Sequence, residues 1–176
     1  MPFFSDKHPG ILDKENVQSN LGTGKLSIET YADARAQMMG IKGEHGRSLK
    51  IVPDLLVVSP QKEAVARQIL FADTINGTTN TYKGTSELMV SQDYPDQWYL
   101  LCTKRSIRPL IFQEREKARF TSKTNENDDN VFFTDKYLYG INARYNAGYG
   151  LWQLAYGSTG TGEEKCKFSE CVKSSE

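Results

Sequence analysis

Apolar residues recur at helical spacing in the first quarter of the chain. Positions 28, 31, 32, 35, 38 and 39 follow the 3.6-residue period of an α-helix, and all of them except Arg35 are apolar. Ser27 precedes this stripe as a candidate N-cap, and Gly40 and Gly43 follow it. The pattern therefore predicts a helix over residues 28–39 that ends at the glycines.

The next region combines short strands with a second helix. Leu55–Val58 is a run of four apolar residues, which is typical of a strand buried on both faces. Ser59 and Pro60 predict a helix start, with Ser as N-cap and Pro in the first turn. The following helix is expected over residues 63–72, and the weak alternation over residues 86–91 predicts another strand. The apolar stripe of this second helix is predicted to be Val65, Ile69 and Ala72.

Strand-like segments dominate the chain from Trp98 onward. Residues 121–130 are polar and carry three acids, which predicts an exposed loop without a tightly bound metal. Residues 157–176 contain many glycines, hydroxyl residues and charges, and we expect them to be poorly ordered. The predicted strands are Trp98–Cys102, Ile107–Gln113, Val131–Phe133, Tyr137–Ala143 and Gly150–Ala155.

This order of elements predicts an α+β fold class. The predicted division is an irregular arm or loop over residues 1–25, an α/β region over 26–100, a mainly β region over 101–157 and a polar tail over 158–176. Within the strand predicted over residues 150–155, Trp152 and Leu154 are expected to face the core, because Gln153 points to the other side. Gly150 is expected to leave room for a neighbouring backbone.

Composition narrows the class of protein. The chain has 176 residues, with 22 Lys and Arg against 22 Asp and Glu, so its formal net charge is zero. A balanced charge argues against a general polyanion binder, and the longest apolar runs are far shorter than a membrane span of about 20 residues. Three cysteines, an odd number, argue against a disulfide scaffold. These features predict a soluble, intracellular, globular protein without a signal peptide.

No pattern in the sequence predicts a metal or cofactor site. His8, His45, Cys166 and Cys171 have no zinc-ligand spacing. The segment Gly22–Lys25 lacks the first glycine and the hydroxyl residue of a phosphate-binding loop. We therefore expect no catalytic, cofactor-binding or metal-binding residues.

Isolated residues of chemical interest have simpler structural explanations. Ser59 lies outside a nucleophile elbow, and Cys102 is expected to be a small residue in a strand. The acids Glu126, Asp128 and Asp129 lack calcium-loop spacing. Asn76 begins a glycosylation sequon, which we interpret as a turn.

Basic and aromatic residues of the second half leave alternatives open. The strand face around residues 104–119 predicts, as an alternative function, a small nucleic-acid-binding module, although Glu114 and Glu116 weaken its field. A small hydrolase with an unrecognised site is a third hypothesis. Aromatic side chains fill either the core or an interface with other copies. The basic residues are Lys104, Arg105, Arg108, Arg115, Lys117 and Arg119, and the aromatic candidates are Tyr137, Tyr139, Tyr145, Tyr149, Trp152 and Tyr156.

Three groups of segments together resemble a known family. The first is residues 3–9 (FFSDKHP), and the second is residues 46–60 with 82–90, including the spacing G-x-x-L-x-I-x-P. The third runs from residue 98 to 155 and contains LIFQER at 110–115 and AGYGLWQLAYG at 147–157. These residues resemble the C-terminal portion of the major head subunit of Mu-like phages and prophages, the gpT family of major capsid proteins.

The resemblance implies a partial HK97-type capsid fold. Residues 26–100 are then expected to form an axial-domain-like sheet with flanking helices, and residues 104–157 to supply peripheral-domain strands. The implied function is structural and not enzymatic: self-assembly, as hexamers and pentamers, into the DNA-enclosing shell. The implied partners are copies of the chain, scaffolding and decoration proteins, and packaged DNA bound non-specifically. The implied location is the virion capsid, and the host cytoplasm before assembly.

The resemblance also implies that family members are much longer. We then expect the N-terminal arm, the extended loop and the spine helix of such subunits to have no counterpart here. The chain is then an expressed fragment, a truncated prophage gene or one piece of a split subunit. We expect residues 1–176 alone to fold without forming closed shells.

Overall fold

The computed structural model describes residues 2–10, 17–43, 46–75, 77–93 and 95–162. It divides into two compact units, one formed by Met1–Pro109 with Gly150–Glu176 and the other by Leu110–Tyr149. None of the helices in the described ranges is long and apolar enough to cross a membrane. In chain order the helices and strands are β1 (His8–Pro9), β2 (Val17–Gln18), β3 (Leu21–Gly24), α1 (Ile28–Gly40), β4 (Leu55–Val58), α2 (Glu63–Phe71), β5 (Thr74–Ile75), β6 (Thr78–Thr79), β7 (Glu87–Val90), β8 (Trp98–Leu101), β9 (Leu110–Lys123), α3 (Asp129–Thr134), β10 (Leu138–Tyr149) and β11 (Ala155–Gly162).

A five-stranded mixed sheet organises the first unit. Its strand order is β3-β11-β8-β4-β7. The pairs β4–β8 and β8–β11 are antiparallel, whereas β4–β7 and β3–β11 are parallel. The interior strand β4 is the apolar run Leu55–Val58, so the predicted strand and its burial are confirmed. Mixed helices and strands likewise confirm the α+β class.

The two faces of the sheet are covered by different parts of the chain. Because side chains alternate along a strand, Leu56, Val58 and Leu100 share one face and pack in the main core with α1 and α2. Val57 and Leu101 lie on the other face, where Phe3 and Phe4 pack against them, so the N-terminal segment replaces a helix layer there.

Helix α1 begins with a reciprocal cap. The Ser27 hydroxyl accepts a hydrogen bond from the Thr30 backbone N–H at 3.2 Å, and the Thr30 hydroxyl accepts one from the Ser27 N–H at 2.8 Å. This confirms Ser27 as N-cap and Gly40 as the end of the helix. The buried side chains are Tyr31, Ala34 and Met38, and Ile28 packs against the main core. The predicted stripe is wrong at Met39, which is exposed, whereas Ala32 is half-buried.

Helix α2 follows a short 3₁₀ helix at Pro60–Lys62. Ser59 occupies the cap position with extended backbone, but its side chain makes no capping hydrogen bond. The buried stripe of α2 is Ala66, Ile69 and Leu70. The predicted stripe is therefore confirmed at Ile69 and at Val65, which is half-buried and packs against the main core. It is wrong at Ala72, which lies beyond the end of the helix.

The N-terminal segment is tied to the sheet by one buried amide. Asn20 is fully buried, and its Nδ2 donates to the carbonyls of Phe3, Trp152 and Ala155 at 3.0–3.2 Å. Its Oδ1 accepts from the Ser5 N–H at 2.9 Å. The prediction of an irregular arm over residues 1–25 is therefore wrong in part, because β1, β2 and the sheet strand β3 all lie within it.

The return of the chain from the second unit differs from the prediction. A 3₁₀ helix at Trp152–Leu154 replaces the predicted strand Gly150–Ala155, and β11 extends into the predicted polar tail. Leu154 is buried, and Trp152 is half-buried and stacks on His8 at 4.0 Å. The remaining tail, residues 163–176, lies outside the described residues.

The second unit is a long antiparallel ribbon of β9 and β10 with α3 at its tip. Val131–Phe133 therefore lies in a helix, and the predicted strand there is wrong. Of the predicted loop over residues 121–130, Thr121–Lys123 belongs to β9 and Asp129 begins α3. The helix ends where Asp135 takes a left-handed conformation (φ 52°) and donates its N–H to the carbonyls of Asn130 and Val131.

Candidate assembly surface

The residues considered as nucleophiles or metal ligands do not converge in the described part of the chain. His8 is buried, and its Nε2 lies 2.9 Å from the Asn20 side-chain oxygen. Ser59 and Cys102 are buried, the Ser59 hydroxyl having no hydrogen-bond partner among the described residues. No group of three metal-ligating side chains is found in the described ranges. His45, Asn76, Cys166 and Cys171 lie outside those ranges.

The other polar candidates have local structural roles. Gly22 and Gly24 lie in the edge strand β3, and the Gly24 carbonyl accepts hydrogen bonds from the Trp98 indole at 3.0 Å and the Ser158 hydroxyl at 2.6 Å. Asp128 accepts a hydrogen bond from the Asn125 N–H at 3.1 Å. These contacts hold the edge strand β3 in the sheet and close the turn before α3.

The basic residues of 104–119 do not form one uncompensated patch. Lys104 lies 3.5 Å from the Glu87 carboxylate, and Arg105 donates to the carbonyls of Leu49 and Lys50 at 2.6–2.7 Å. Arg108, Arg115, Lys117 and Arg119 are exposed.

The ribbon has two chemically different faces. Residues directly opposite in an antiparallel pair share a face, and Phe112 pairs with Ala147, Phe120 with Ile141. Following this register along both strands gives the apolar face, whose large side chains are Leu110, Phe112, Phe120, Tyr139, Ile141, Tyr145 and Tyr149. The same register gives the polar face, which holds Ile111, Gln113, Glu116, Arg119, Thr121, Lys123, Leu138, Gly140, Asn142, Arg144, Asn146 and Gly148.

Two bulges in β9 preserve this separation. The register advances by an extra β9 residue between Asn142 and Arg144, and again between Arg144 and Tyr145. A one-residue slip moves a side chain to the other face. The bulges thereby turn Glu116 to the polar face, 3.8 Å from Arg144, and return Phe120 to the apolar face.

The apolar face is open to solvent. Its seven large side chains expose between 56% and 71% of their area. Ring contacts run along it, with centroid separations of 5.7 Å for Phe112–Tyr145 and 5.9 Å for Phe120–Tyr139. Each contact joins two neighbouring rungs, so the face carries two pairs of contacting aromatic rings, one at each end of the ribbon.

This surface lies at the upper end of the range of apolar patches found on monomers. A fully covered aromatic side chain buries about 150–250 Å², so the five rings together present on the order of 600 Å². The largest apolar patch on a typical monomer is about 300–600 Å². At the tip, Phe132 and Phe133 add two further exposed rings. Such an arrangement is a candidate surface for contact with another protein.

The sequence contains a signal for this surface that the strand prediction missed. Along β10 every odd position from Tyr139 to Tyr149 is apolar, and every even position in that range is polar or glycine. Alternation over a full strand predicts one apolar face. The predicted strands end at Ala143 and at Gln113, whereas β10 and β9 continue to Tyr149 and Lys123.

Of the six aromatic interface candidates, four lie in the ribbon unit and are exposed: Tyr137, Tyr139, Tyr145 and Tyr149. Trp152 is half-buried, and Tyr156 is buried in the main core. The structure therefore divides the six aromatic candidates into exposed residues of the ribbon unit and residues packed in or against the main core, a distinction that the sequence does not make.

A family model described as the Mu-like prophage major head subunit gpT matches residues 19–94 and 91–169. The chain belongs to this family. The match spans both units, including the whole ribbon. It confirms the resemblance inferred from the sequence segments.

Two curated gpT-family relatives are similar to the chain. The major capsid protein of Escherichia phage Mu is 32% identical over 146 residues, covering 76% of this chain and 48% of the relative. The Mu-like prophage FluMu major head subunit of Haemophilus influenzae is 35% identical over 113 residues, covering 58% and 37%. The chain therefore spans less than half the length of these relatives.

Among solved structures, a chain of the bacteriophage JBD30 procapsid is 30% identical. The match covers 83% of this chain and 42% of the procapsid chain, at a TM-score of 0.33.

Proposed function

We propose that this gpT-family chain is a structural subunit of a phage head, which assembles with copies of itself into the shell. The observation that carries the proposal is the open apolar face of the ribbon in a chain of this family. Apolar patches at or above this size often mark sites where another protein binds. A non-catalytic role accords with the absence of a catalytic constellation among the described residues.

The finer parts of the proposal come from the family resemblance. The subunit has an HK97-type fold, in which the five-stranded sheet with α1 and α2 belongs to the axial domain and the ribbon to the peripheral domain. It forms hexamers and pentamers, contacts scaffolding and decoration proteins, and touches packaged DNA only non-specifically. It resides in the virion shell and, before assembly, in the host cytoplasm.

The predicted alternative, a nucleic-acid-binding module, receives no support from the comparisons. The contacts of Lys104 and Arg105 described above engage them within the chain. On the polar face of the ribbon, Arg144 faces Glu116. A strong basic field of the kind that attracts nucleic acid is therefore not built by these residues.

The proposal is tested in particles from the bacterium that carries the gene. After induction, particles are purified on a density gradient, and peptides from residues 19–162 are sought by mass spectrometry, with a cytosolic enzyme as the contamination control. We expect these peptides at many copies per particle. Particles that form without them, while the chain remains in the soluble fraction, would overturn the proposal.

A further inference from the structure

Two separate groups of apolar side chains pack on the five-stranded sheet, one on each face. The main core lies between the sheet and the helices α1 and α2. The second group consists of five sheet residues, Leu55, Val57, Tyr99, Leu101 and Ala155. Among the described residues, only Phe3 and Phe4 cover this second group from outside the sheet. Residues 2–9, which we call the strap, therefore pack on a face of the sheet that the main core does not reach.

The ring of Phe4 fits a site on that face. It lies 5.2 Å from the Tyr99 ring, and a Cβ at residue 157 would approach it to 2.9 Å. Gly157 of β11 pairs directly with Tyr99 of β8, so the two residues form the floor of the site together. Phe3 packs edge-on against Phe4 at 4.9 Å, and both rings are half-buried. The apolar contact of the strap is therefore small beside the fully buried side chains of the main core.

The polar contacts of the strap converge on Asn20, the residue before β3. Its Oδ1 accepts a hydrogen bond from the Ser5 N–H at 2.9 Å and lies 2.9 Å from His8 Nε2. Its Nδ2 donates to the Phe3 carbonyl at 3.0 Å, and its backbone N–H donates to the Ser5 carbonyl at 3.1 Å. The same Nδ2 also donates to two carbonyls of residues 152–155. Asn20 therefore keeps partners in the sheet unit when its bonds to the strap break.

A segment whose contacts are separate from the main core can open while that core stays folded. Detachment of the strap breaks the contacts of Phe4, the bonds to Asn20 and the stack of His8 on Trp152. It leaves the pairing of the five sheet strands intact, because none of them lies in residues 2–9.

We infer that residues 2–9 detach from the sheet as a unit and so uncover its second apolar face, while the main core remains folded. The strap is then a conformational device that decides whether this face meets the solvent. The inference concerns a motion within this chain and does not depend on the proposed function.

Amide hydrogen exchange of the full chain, followed by NMR, measures such opening residue by residue. The N–H groups of Ser5 and Asn20 report on the strap, because both hydrogen bonds join it to the start of β3. The N–H groups of Asp54 and Cys102 donate to carbonyls within the sheet unit and report on the sheet. We expect the strap amides to exchange at least about tenfold faster than the sheet amides, after correction for their intrinsic rates.

A main-core substitution separates local opening from global unfolding. Ile69→Val removes a methyl group from the main core, which is equally intact with the strap closed or open. We expect it to accelerate the exchange of the sheet amides about fivefold and to leave the strap amides within about twofold of the parent. Phe4→Ala removes a contact that exists only in the closed strap, and it should accelerate the strap amides about tenfold.

Denaturant gives a second measurement on the parent chain. The sensitivity of an opening reaction to urea scales with the surface that it exposes. Opening of the strap exposes one small face, whereas global unfolding exposes the main core as well. We expect low concentrations of urea to accelerate the sheet amides steeply and the strap amides only weakly.

A matched pair of amide substitutions tests the anchor. Asn20→Asp replaces the Nδ2 donor by a carboxylate oxygen, which cannot donate to the Phe3 carbonyl. Gln18→Glu makes the same change two residues earlier, in a side chain that bonds to the backbone of Lys42 at 2.9–3.0 Å. We expect Asn20→Asp to accelerate exchange at Ser5 more than about tenfold, and Gln18→Glu to change it less than about twofold.

Three outcomes would overturn the inference: equal acceleration of strap and sheet amides by Ile69→Val, equal urea sensitivity of the two sets, or equal effects of Asn20→Asp and Gln18→Glu at Ser5. The first two would show that the strap opens only when the whole sheet unit unfolds. They decide the question even where Asn20→Asp fails to fold, because the parent and the conservative Ile69→Val variant both keep the anchor.

Discussion

Strand β8 and strand β10 use the same alternation of side chains in opposite surroundings. In β8, Trp98 and Leu100 face the helices and are at most 1% exposed, and the sheet continues on both sides through β4 and β11. In β10, Tyr145 and Tyr149 stand on a ribbon of two strands and are about 70% exposed. Alternation therefore specifies which side chains share a face, but the number of layers around a strand decides whether that face is buried.

This contrast predicts that substitutions of large aromatic residues have different costs in the two units. Trp98→Ala removes a fully buried ring and the hydrogen bond from its indole to the Gly24 carbonyl. We expect it to lower the free energy of unfolding by about 3–5 kcal/mol. Chemical denaturation followed by far-UV circular dichroism measures the change.

Tyr145→Ala is the matched control in the ribbon. We expect it to lower the free energy of unfolding by less than about 1 kcal/mol. Equal losses for the two variants would mean that the ribbon is as well packed as the sheet, and the contrast would fail.

Trp152 tests an intermediate case. It packs against the main core while its ring stacks on His8, and it is half-buried. We expect Trp152→Ala to cost about 2 kcal/mol, less than a fully buried tryptophan. A thermal melt within about a degree of the parent would contradict the core assignment and place Trp152 on an interface instead.

The two glycines that flank Tyr149, Gly148 and Gly150, should differ in how much stability a substitution costs. A Cβ at residue 150 would overlap the backbone carbonyl of Arg108, whereas a Cβ at residue 148 meets no atom within 4 Å. We expect Gly150→Ala to lower the free energy of unfolding by about 1–3 kcal/mol. Gly148→Ala should leave it unchanged in the same denaturation assay, and a comparable loss there would show that close backbone approach is not the cause.

The pH dependence of unfolding should carry a contribution from Tyr156 in the sheet unit. Burial, and secondarily the negative charge of Asp33, raise the pKa of Tyr156 above 10. The unfolded chain then loses this proton first, so the stabilising contribution is complete below pH 10 and disappears as the pH rises through the folded-state pKa. We expect the free energy of unfolding to fall less steeply above pH 10 in Tyr156→Phe than in the parent. Identical slopes would contradict the burial of this hydroxyl.

Of the changes described, removal of the ribbon should alter the stability of the sheet unit least. The Gly150 N–H donates to the Pro109 carbonyl at 2.8 Å, so the two ends of the sheet unit meet where the ribbon leaves it. We expect a variant that joins Pro109 to Gly150 through Asn-Gly, a sequence typical of tight hairpin turns, to unfold cooperatively at the parent's midpoint. Loss of cooperative unfolding would show that the sheet requires the ribbon.

The sequence predicts best where local signals and tertiary packing agree. The capped helix at Ile28–Gly40 and the strand at Leu55–Val58 have both, and both are confirmed. The predicted strand at Val131–Phe133 is wrong, although its three residues are apolar. Acids precede this segment, and it forms a helix that ends where Asp135 takes a left-handed conformation. Strand β11 was missed because its glycines and hydroxyl residues have low strand propensity, and it is held by its neighbours β3 and β8.

The candidate surface was only partly predictable. The aromatic residues could be named, but burial depends on how many strands and helices gather around them. Strand β9 continues through a charged stretch that gives no apolar strand signal, because residues on an exposed strand face need not be apolar. The two bulges also shift the alternation twice within five residues, and no short-range pattern predicts them.

The placement of β11 between β3 and β8 has a consequence for synthesis on the ribosome. Residues 21–24 pair with residues 157–162, more than 130 positions later, and the Asn20 amide closes the same distance to Ala155. The pairing partner of the first sheet strand is therefore translated more than 130 residues after it. Until it leaves the exit tunnel, one edge of β8 stays unpaired, while the hairpin of β9 and β10 forms from neighbouring residues. Contacts of such long sequence separation slow folding, so the open edge of β8 persists until residues 155–162 have left the exit tunnel and is exposed to wrong pairing during that interval.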